Sequence, residues 1–347
     1  MFKSLLRRNR PAVREDPPPR GAGGMPPPAA PRRVDAETLL RRMEWTVIRR
    51  LDGLLQGDYR TLLRGFGLDL ADLREYQGHD DVRYIDWNVT ARMGIPHVRQ
   101  FHEDREVFAW FVLDLSGSVD FGSEQVRKRE LSSELVAVLG RILTRHGNRV
   151  GAILHSGKTG GSADLVIPAR GGRRQVLHIL DRMQRLHEEK DSSVPGQQTD
   201  LGELLGRVQH VIGRRSIIFV VSDFISTPGW NRPLTLLARR HEVVAVRLYD
   251  PLENELPDLG LVIMQDAETG EQLFVDTRDG SFRRRFMQAA ERREAELRDG
   301  LAEAGVDCLE LATDDQLGEA LLRFTSLRKR RSQLAAGAGN LRKPIVS

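Results

Sequence analysis

From residue 107 onward, near-continuous apolar runs alternate with segments of helical period, and this alternation most narrows the folds open to the chain. The runs at 107–113, 149–154, 216–221 and 242–248 are short and rich in β-branched residues. Between them the spacing predicts helices at about 123–147, 172–187, 200–212 and 230–240, with a further strand at about 163–167. Strands that are apolar on both faces belong to a parallel sheet buried under helices on both sides. The expected class is therefore α/β, with a doubly wound, mostly parallel sheet. Segments 262–264 and 272–275, joined through Glu268-Thr269-Gly270, read as a hairpin; helix 282–304, strand 306–311 and helix 314–327 complete the domain.

The rest of the chain divides around that domain. Residues 1–33 hold eight of the 16 prolines, including Pro17 to Pro19 and Pro26 to Pro28, and read as a disordered Pro/Arg-rich tail. Residues 34–105 read as an extension with one amphipathic helix (Leu39, Leu40, Met43, Val47, Leu51 and Leu54) followed by short strands around Gly65, Gly67 and Gly78. Residues 106–327 form the α/β domain, and 328–347 a basic C-terminal tail. The pI near 9.4 suggests nucleic acid, but the two ends carry +6 each against a total of +4, so residues 34–327 carry −8. An acidic body with basic ends, and no aromatic-plus-basic recognition motif, argues against specific nucleic-acid binding. No apolar run reaches the roughly 20 residues that span a bilayer, and no signal-peptide core follows the N-terminus. The single cysteine, Cys308, can form neither an internal disulfide nor a thiolate cluster. The expected location is the cytoplasm.

The first parallel strand runs straight into Asp114-Leu-Ser-Gly-Ser118. Ligands of open α/β sheets bind beyond the carboxyl ends of the strands. One carboxylate and two hydroxyls at alternate positions on a tight turn can converge on one point, as hard oxygen donors for a hard cation such as Mg²⁺. Alone this pattern is weak, because Asp and Ser ahead of a helix also serve as N-caps. Two further loops strengthen it. Gln197-Gln-Thr-Asp200 offers the Thr199 hydroxyl and the Asp200 carboxylate just before a helix, and Ser222-Asp223-Phe224 places Asp223 at another strand's carboxyl end.

The order Asp-x-Ser-x-Ser, then Thr, then a strand-end Asp resembles the metal-ion-dependent adhesion site of von Willebrand factor A domains. The resemblance implies a von Willebrand factor A-like fold holding Mg²⁺ or another divalent cation. Its ligands would be Asp114, Ser116, Ser118 and Thr199, with Asp223 acting mainly through water. It further implies that an acidic side chain of a partner completes the shell, which makes a docking site rather than a catalytic one. Upstream, Gly65-Phe-Gly67, Leu73-Arg-Glu-Tyr76, Gly78-His-Asp-Asp81 and the block Asp86-Trp87…Thr90-Ala-Arg92 resemble the signature of a bacterial family numbered fifty-eight among the domains of unknown function; Asp250-Pro-Leu-Glu253 fits it too. The likeness covers about residues 57 to 265. It implies a partner of the MoxR-type AAA+ ATPase class, or that ATPase's client, and a role in assembling or activating protein complexes. His79 and Val119 depart from the family pattern without removing a ligand.

Within Asp80 to Arg92, the mixed charges around Trp87 read as an ion-pair network locking the upstream strands in place, with Ile85 and Trp87 as core anchors. The alternative for that block is a partner-binding surface. His102, His155 and His241 read as satisfied structural histidines. The chain lacks Gly-x-x-x-x-Gly-Lys-Ser/Thr, Gly-x-Gly-x-x-Gly, His-Glu-x-x-His and Gly-x-Ser-x-Gly. The expected function is thus a non-enzymatic, metal-dependent adaptor. The rival is a Mg²⁺-dependent phosphohydrolase or nuclease using Asp114, Asp200 and Asp223, disfavoured because such enzymes present more carboxylates.

Overall fold

Six strands of one sheet arise where the apolar runs stand. In the computed structural model, residues 72–78, 82, 85–100, 107–120, 126–156, 164–190, 200–265 and 272–337 are described. The tail 1–33, the amphipathic helix expected near 39–54, Thr199, His102, the acidic and basic residues of 79–84, and residues 338–347 lie outside them. Strands β1 (Asp72–Glu75) and β2 (His97–Gln100) pair antiparallel, with helix α1 (Trp87–Met93) between them. The main sheet contains β3 (Phe108–Asp114), β4 (Arg149–His155), β5 (Asp164–Arg170), β6 (Ile217–Ser222), β7 (Glu242–Tyr249) and β10 (Asp307–Ala312), in the order β10-β7-β6-β3-β4-β5. All pairings are parallel except β4 with β5. Taken in chain order within this sheet, the arrangement is the doubly wound 3-2-1-4-5-6, with the reversal of direction between β3 and β6. Strands β8 (Leu261–Gln265) and β9 (Gln272–Asp276) form the expected hairpin.

Each central strand is apolar on both faces because each face has its own helical layer. Ala109, Phe111 and Leu113 join one core with residues of α2 (Lys128–Arg145), α3 (Arg173–Lys190) and α7 (Leu317–Gly337). Trp110 and Val112 join a second core with residues of α4 (Leu201–Val211), α5 (Asn231–Arg240) and α6 (Gly280–Ala304). The period of two along the strand produces this division. Phe111 and Phe219, register partners on β3 and β6, stack with centroids 5.3 Å apart in the first core. On the opposite face, beside Trp110, Gly151 is obligatory: a Cβ there would lie 2.8 Å from the Trp110 ring and 2.9 Å from the Ile167 carbonyl oxygen.

Three expectations are corrected. Trp87, read as a core anchor, is 68% exposed, and Ile85 is only half-buried. The reason is local: Asp86 caps α1, accepting the Val89 N–H at 3.2 Å, and Trp87 as the first helical residue faces outward. Strand β5 continues through Pro168 to Arg170, beyond the end expected at 167. As the sheet's antiparallel edge it tolerates the missing N–H, and the Pro168 carbonyl accepts from Gln175 Nε2 at 2.9 Å. Helix α7 runs to Gly337, not 327. Its basic residues meet acids at the amino ends of two strands: Arg328 Nε donates to Asp307 at 2.8 Å, Arg328 also pairs with Glu242, and Arg331 pairs with Asp307.

Candidate metal centre

Asp114 is the last residue of β3 and lies where the sheet order reverses. The same alternation that places Trp110 and Val112 on the α4–α6 side carries Asp114 to that side. It is one of a row of polar residues crossing the sheet at the carboxyl ends. Glu310, Arg247 and Ser222 are register partners from β10 to β6, and Asp114, His155 and Asp164 from β3 to β5. The two halves join at the reversal point, where the Ser222 hydroxyl donates to Asp114 Oδ2 at 2.8 Å. Ordinary strand residues at these positions would be apolar; here each of the six strands contributes a hydrogen-bonding or charged group.

The turn after β3 gathers the first three candidate ligands. Leu115, itself buried, continues the β3–β4 pairing by donating its N–H to the His155 carbonyl at 2.8 Å. The Ser116 N–H donates to Asp114 Oδ1 at 3.0 Å, closing an Asx turn. A 3₁₀ turn (Gly117–Asp120) follows, and the Ser116 and Ser118 hydroxyl oxygens lie 3.1 Å apart. All three residues are buried. Two ligands at adjacent corners of a Mg²⁺ octahedron are separated by about 3.0 Å, given bond lengths near 2.1 Å. The serine pair matches that edge, and the Asp114 oxygens, which accept from Ser116 and Ser222, retain lone pairs. Burial pushes the Asp114 carboxyl well above its usual range, the negative charge of Asp223 pushes it further, and hydrogen bonds from Ser116 and Ser222 oppose both. A positive charge at this point would favour the ionised form. The residues present therefore fit a hard divalent cation.

Asp223 follows Ser222 at the end of β6, but both its oxygens are engaged with protein groups. Oδ1 accepts the Ile225 N–H at 3.0 Å, and Oδ2 accepts from Lys128 Nζ at 3.2 Å. The loop is held further by Ser222 Oγ, which accepts the Phe224 N–H at 3.0 Å, and by the Phe224 ring, edge-on to Trp230 at 5.3 Å. Phe224 has φ 58°, a left-handed conformation that costs a non-glycine residue energy and is found where a site demands it. Lys128, the first residue of α2, is fully buried and also pairs with Glu253 of the Asp250-Pro-Leu-Glu253 turn. Burial raises the Glu253 carboxyl and the Lys128 charge opposes the rise. In that turn Asp250 accepts the Leu252 N–H, Glu253 accepts the Asp250 N–H, and the Thr313 hydroxyl donates to Asp250.

Asp200 stands at the start of α4. Its carboxylate caps α4, accepting the Glu203 N–H at 2.9 Å. His155 donates its Nδ1–H to Asp164 Oδ1 at 2.6 Å, and Arg207 holds the other Asp164 oxygen at 2.8 Å. His241 is buried, with Nδ1 accepting the Ser216 N–H at 3.2 Å. Among the described residues, no group of three or more His, Cys, Asp or Glu is placed to hold a metal. The cluster at Asp114 is of another kind, one carboxylate with two hydroxyls. Sequence reasoning missed Ser222 and Lys128 as parts of this site. Period-two alternation back from Val220 would have found Ser222; Lys128, flanked by Arg127 and Arg129, looks like any solvated basic residue.

Comparison with known proteins places the chain. It is 37% identical over 293 residues to Rv1480, an uncharacterised protein of Mycobacterium tuberculosis, covering 84% of this chain and 89% of that one. Among solved structures it aligns with the conserved hypothetical protein BatB of Bacteroides thetaiotaomicron, at 15% identity and a TM-score of 0.37, over 65% of this chain and 99% of that one. It also aligns with a von Willebrand factor type A protein of Catenulispora acidiphila, at 12% identity and a TM-score of 0.34, over 64% and 42% of the two chains. The family model described as "Protein of unknown function DUF58" matches residues 72–296, and the chain belongs to that family.

Proposed function

We propose that this protein is a metal-dependent protein–protein interaction adaptor that holds Mg²⁺, or another divalent cation, on Asp114, Ser116 and Ser118 and uses it to grip an acidic residue of a partner. Thr199, outside the described residues, is proposed as a further ligand, and Asp223 as a group acting through water. The observation that carries this reading is the 3.1 Å serine pair beside a buried, single carboxylate at the sheet's reversal point. When bound, the cation would supply a Lewis-acidic point whose charge is only partly offset by its own ligands. Asp114 holds the negative charge, Ser116 and Ser118 add neutral donors, and Ser222 orients the Asp114 carboxylate through its free side. Engagement of Asp200 in helix capping supports this hydroxyl-rich reading over a three-carboxylate hydrolase. The family resemblance supports a MoxR-type AAA+ ATPase, or its client, as the partner.

The test uses the full chain and a purified MoxR-type ATPase. Co-purification in Mg²⁺ should be lost on adding chelator and lost in Asp114→Ala, with the far-UV circular dichroism of the variant unchanged. Binding that survives both treatments would sink the docking reading.

A further inference from the structure

A lysine with no exposed surface is costly unless its charge is matched, and Lys128 is matched by two carboxylates, Glu253 and Asp223, the second of which adjoins Asp114. We propose that Lys128 is a specificity-determining residue of that site: by holding Asp223, it keeps a second carboxylate out of the cation's inner shell and leaves that position for a partner's acid. This rests on the reading that Asp114, Ser116 and Ser118 bind a cation. The geometry is direct. Lys128 Nζ lies 3.2 Å from Asp223 Oδ2, the Ile225 N–H takes Oδ1 at 3.0 Å, and both Lys128 and Asp223 side chains have no exposed surface. Glu253, on the other side of the ammonium, is anchored through the Asp250 N–H, so Lys128 is held from two directions. The strained backbone at Phe224 fixes the loop that carries Asp223.

The consequence is one of charge. With Asp223 neutralised, the cation faces one anionic ligand and hydroxyls, and it retains affinity for another carboxylate. With Asp223 released, the shell would gain a second anion from within the chain, which binds cation more tightly and leaves less for a partner. Ligand charge count is a main determinant of divalent-cation affinity in oxygen sites. A purely structural ion pair, stapling α2 to the 223–225 loop, has the opposite signature: its loss would loosen the site and weaken cation binding. The sign of the change separates the two.

The experiment is a double-mutant cycle on the full chain, read by calorimetric titration with Mn²⁺. Lys128→Met is expected to tighten Mn²⁺ binding about tenfold, Asp223→Asn to weaken it by the loss of a water-mediated contact, and Lys128→Met/Asp223→Asn to match Asp223→Asn, because Lys128 acts only through the Asp223 carboxylate. The double variant removes both charges of the pair, so it and Asp223→Asn remain informative if Lys128→Met alone does not fold. Weaker or unchanged binding in Lys128→Met, or a difference of about tenfold between Lys128→Met/Asp223→Asn and Asp223→Asn, overturns the inference while leaving the Asp114 site intact. An absence of Mn²⁺ binding in the wild type overturns both.

Discussion

Asp114 is a carboxylate in a place where ionisation is opposed by burial and by a like charge nearby. On the proposed reading a cation offsets that opposition, so Asp114→Asn, which keeps an acceptor for the Ser116 N–H, should raise the melting temperature of the cation-free protein while abolishing cation binding. A lower melting temperature would show that Asp114 serves packing instead. His241 makes a separate prediction. Burial depresses its pKa, and Arg240 and Arg215 depress it further, below the ordinary value of 6.5. The unfolded chain therefore takes up a proton more readily, and stability is lost as pH falls below that value. Asn can accept the Ser216 N–H as Nδ1 does, so the melting temperature of His241→Asn should fall less than that of the wild type between neutral and mildly acidic pH. Equal slopes would contradict the assignment. That Asp114, Ser116 and Ser118 come together at a strand's end was legible in the sequence because all three lie within one short run. Lys128 was not, because nothing local distinguishes a lysine buried by residues 95 and 125 positions away. Trp87 misled for the same reason: its size suggests burial, yet its place at the start of a capped helix exposes it. Trp87→Ala should change stability by no more than about 0.5 kcal/mol, a value chemical denaturation can read.

Helices and strands were legible wherever period alone determines them, and their ends were not where partners distant in sequence decide. The sheet's two-faced strands announce themselves as continuous apolar runs, and the hairpin β8–β9 by its turn. The last ten residues of α7 gave no such sign. Lys and Arg in 328–331 look like a solvated tail, and only the acids at the starts of β7 and β10 make them part of the fold. Arg328→Ala should therefore cost about 2 kcal/mol in denaturant unfolding, since it leaves the buried Asp307 with one guanidinium in place of two. No loss would mean the helix end is merely surface. In the first core, Phe111→Ala should cost about 3–5 kcal/mol by removing the stacked pair that joins β3 to β6. That loss would also loosen the strand ends on which the candidate site stands.

The whole molecule explains why the site lies where it does. In a doubly wound sheet the connections leave β3 and β6 toward opposite helical layers, and the carboxyl ends of the two strands at such a reversal are where folds of this class place ligands. Asp114 and Ser222 occupy those ends, joined by a 2.8 Å hydrogen bond. The polar row from Glu310 to Asp164 runs along the same edge, most of it buried and paired. No helix among the described residues is long and apolar enough to cross a membrane. The central claim is that a divalent cation sits at this reversal point on Asp114 and the two serines. It is tested most directly by titrating Mg²⁺ calorimetrically into the purified full chain and into Asp114→Asn and Ser116→Ala/Ser118→Ala. One binding site in the wild type, absent from both variants, is the predicted result; no binding in the wild type, or undiminished binding in the variants, would contradict it.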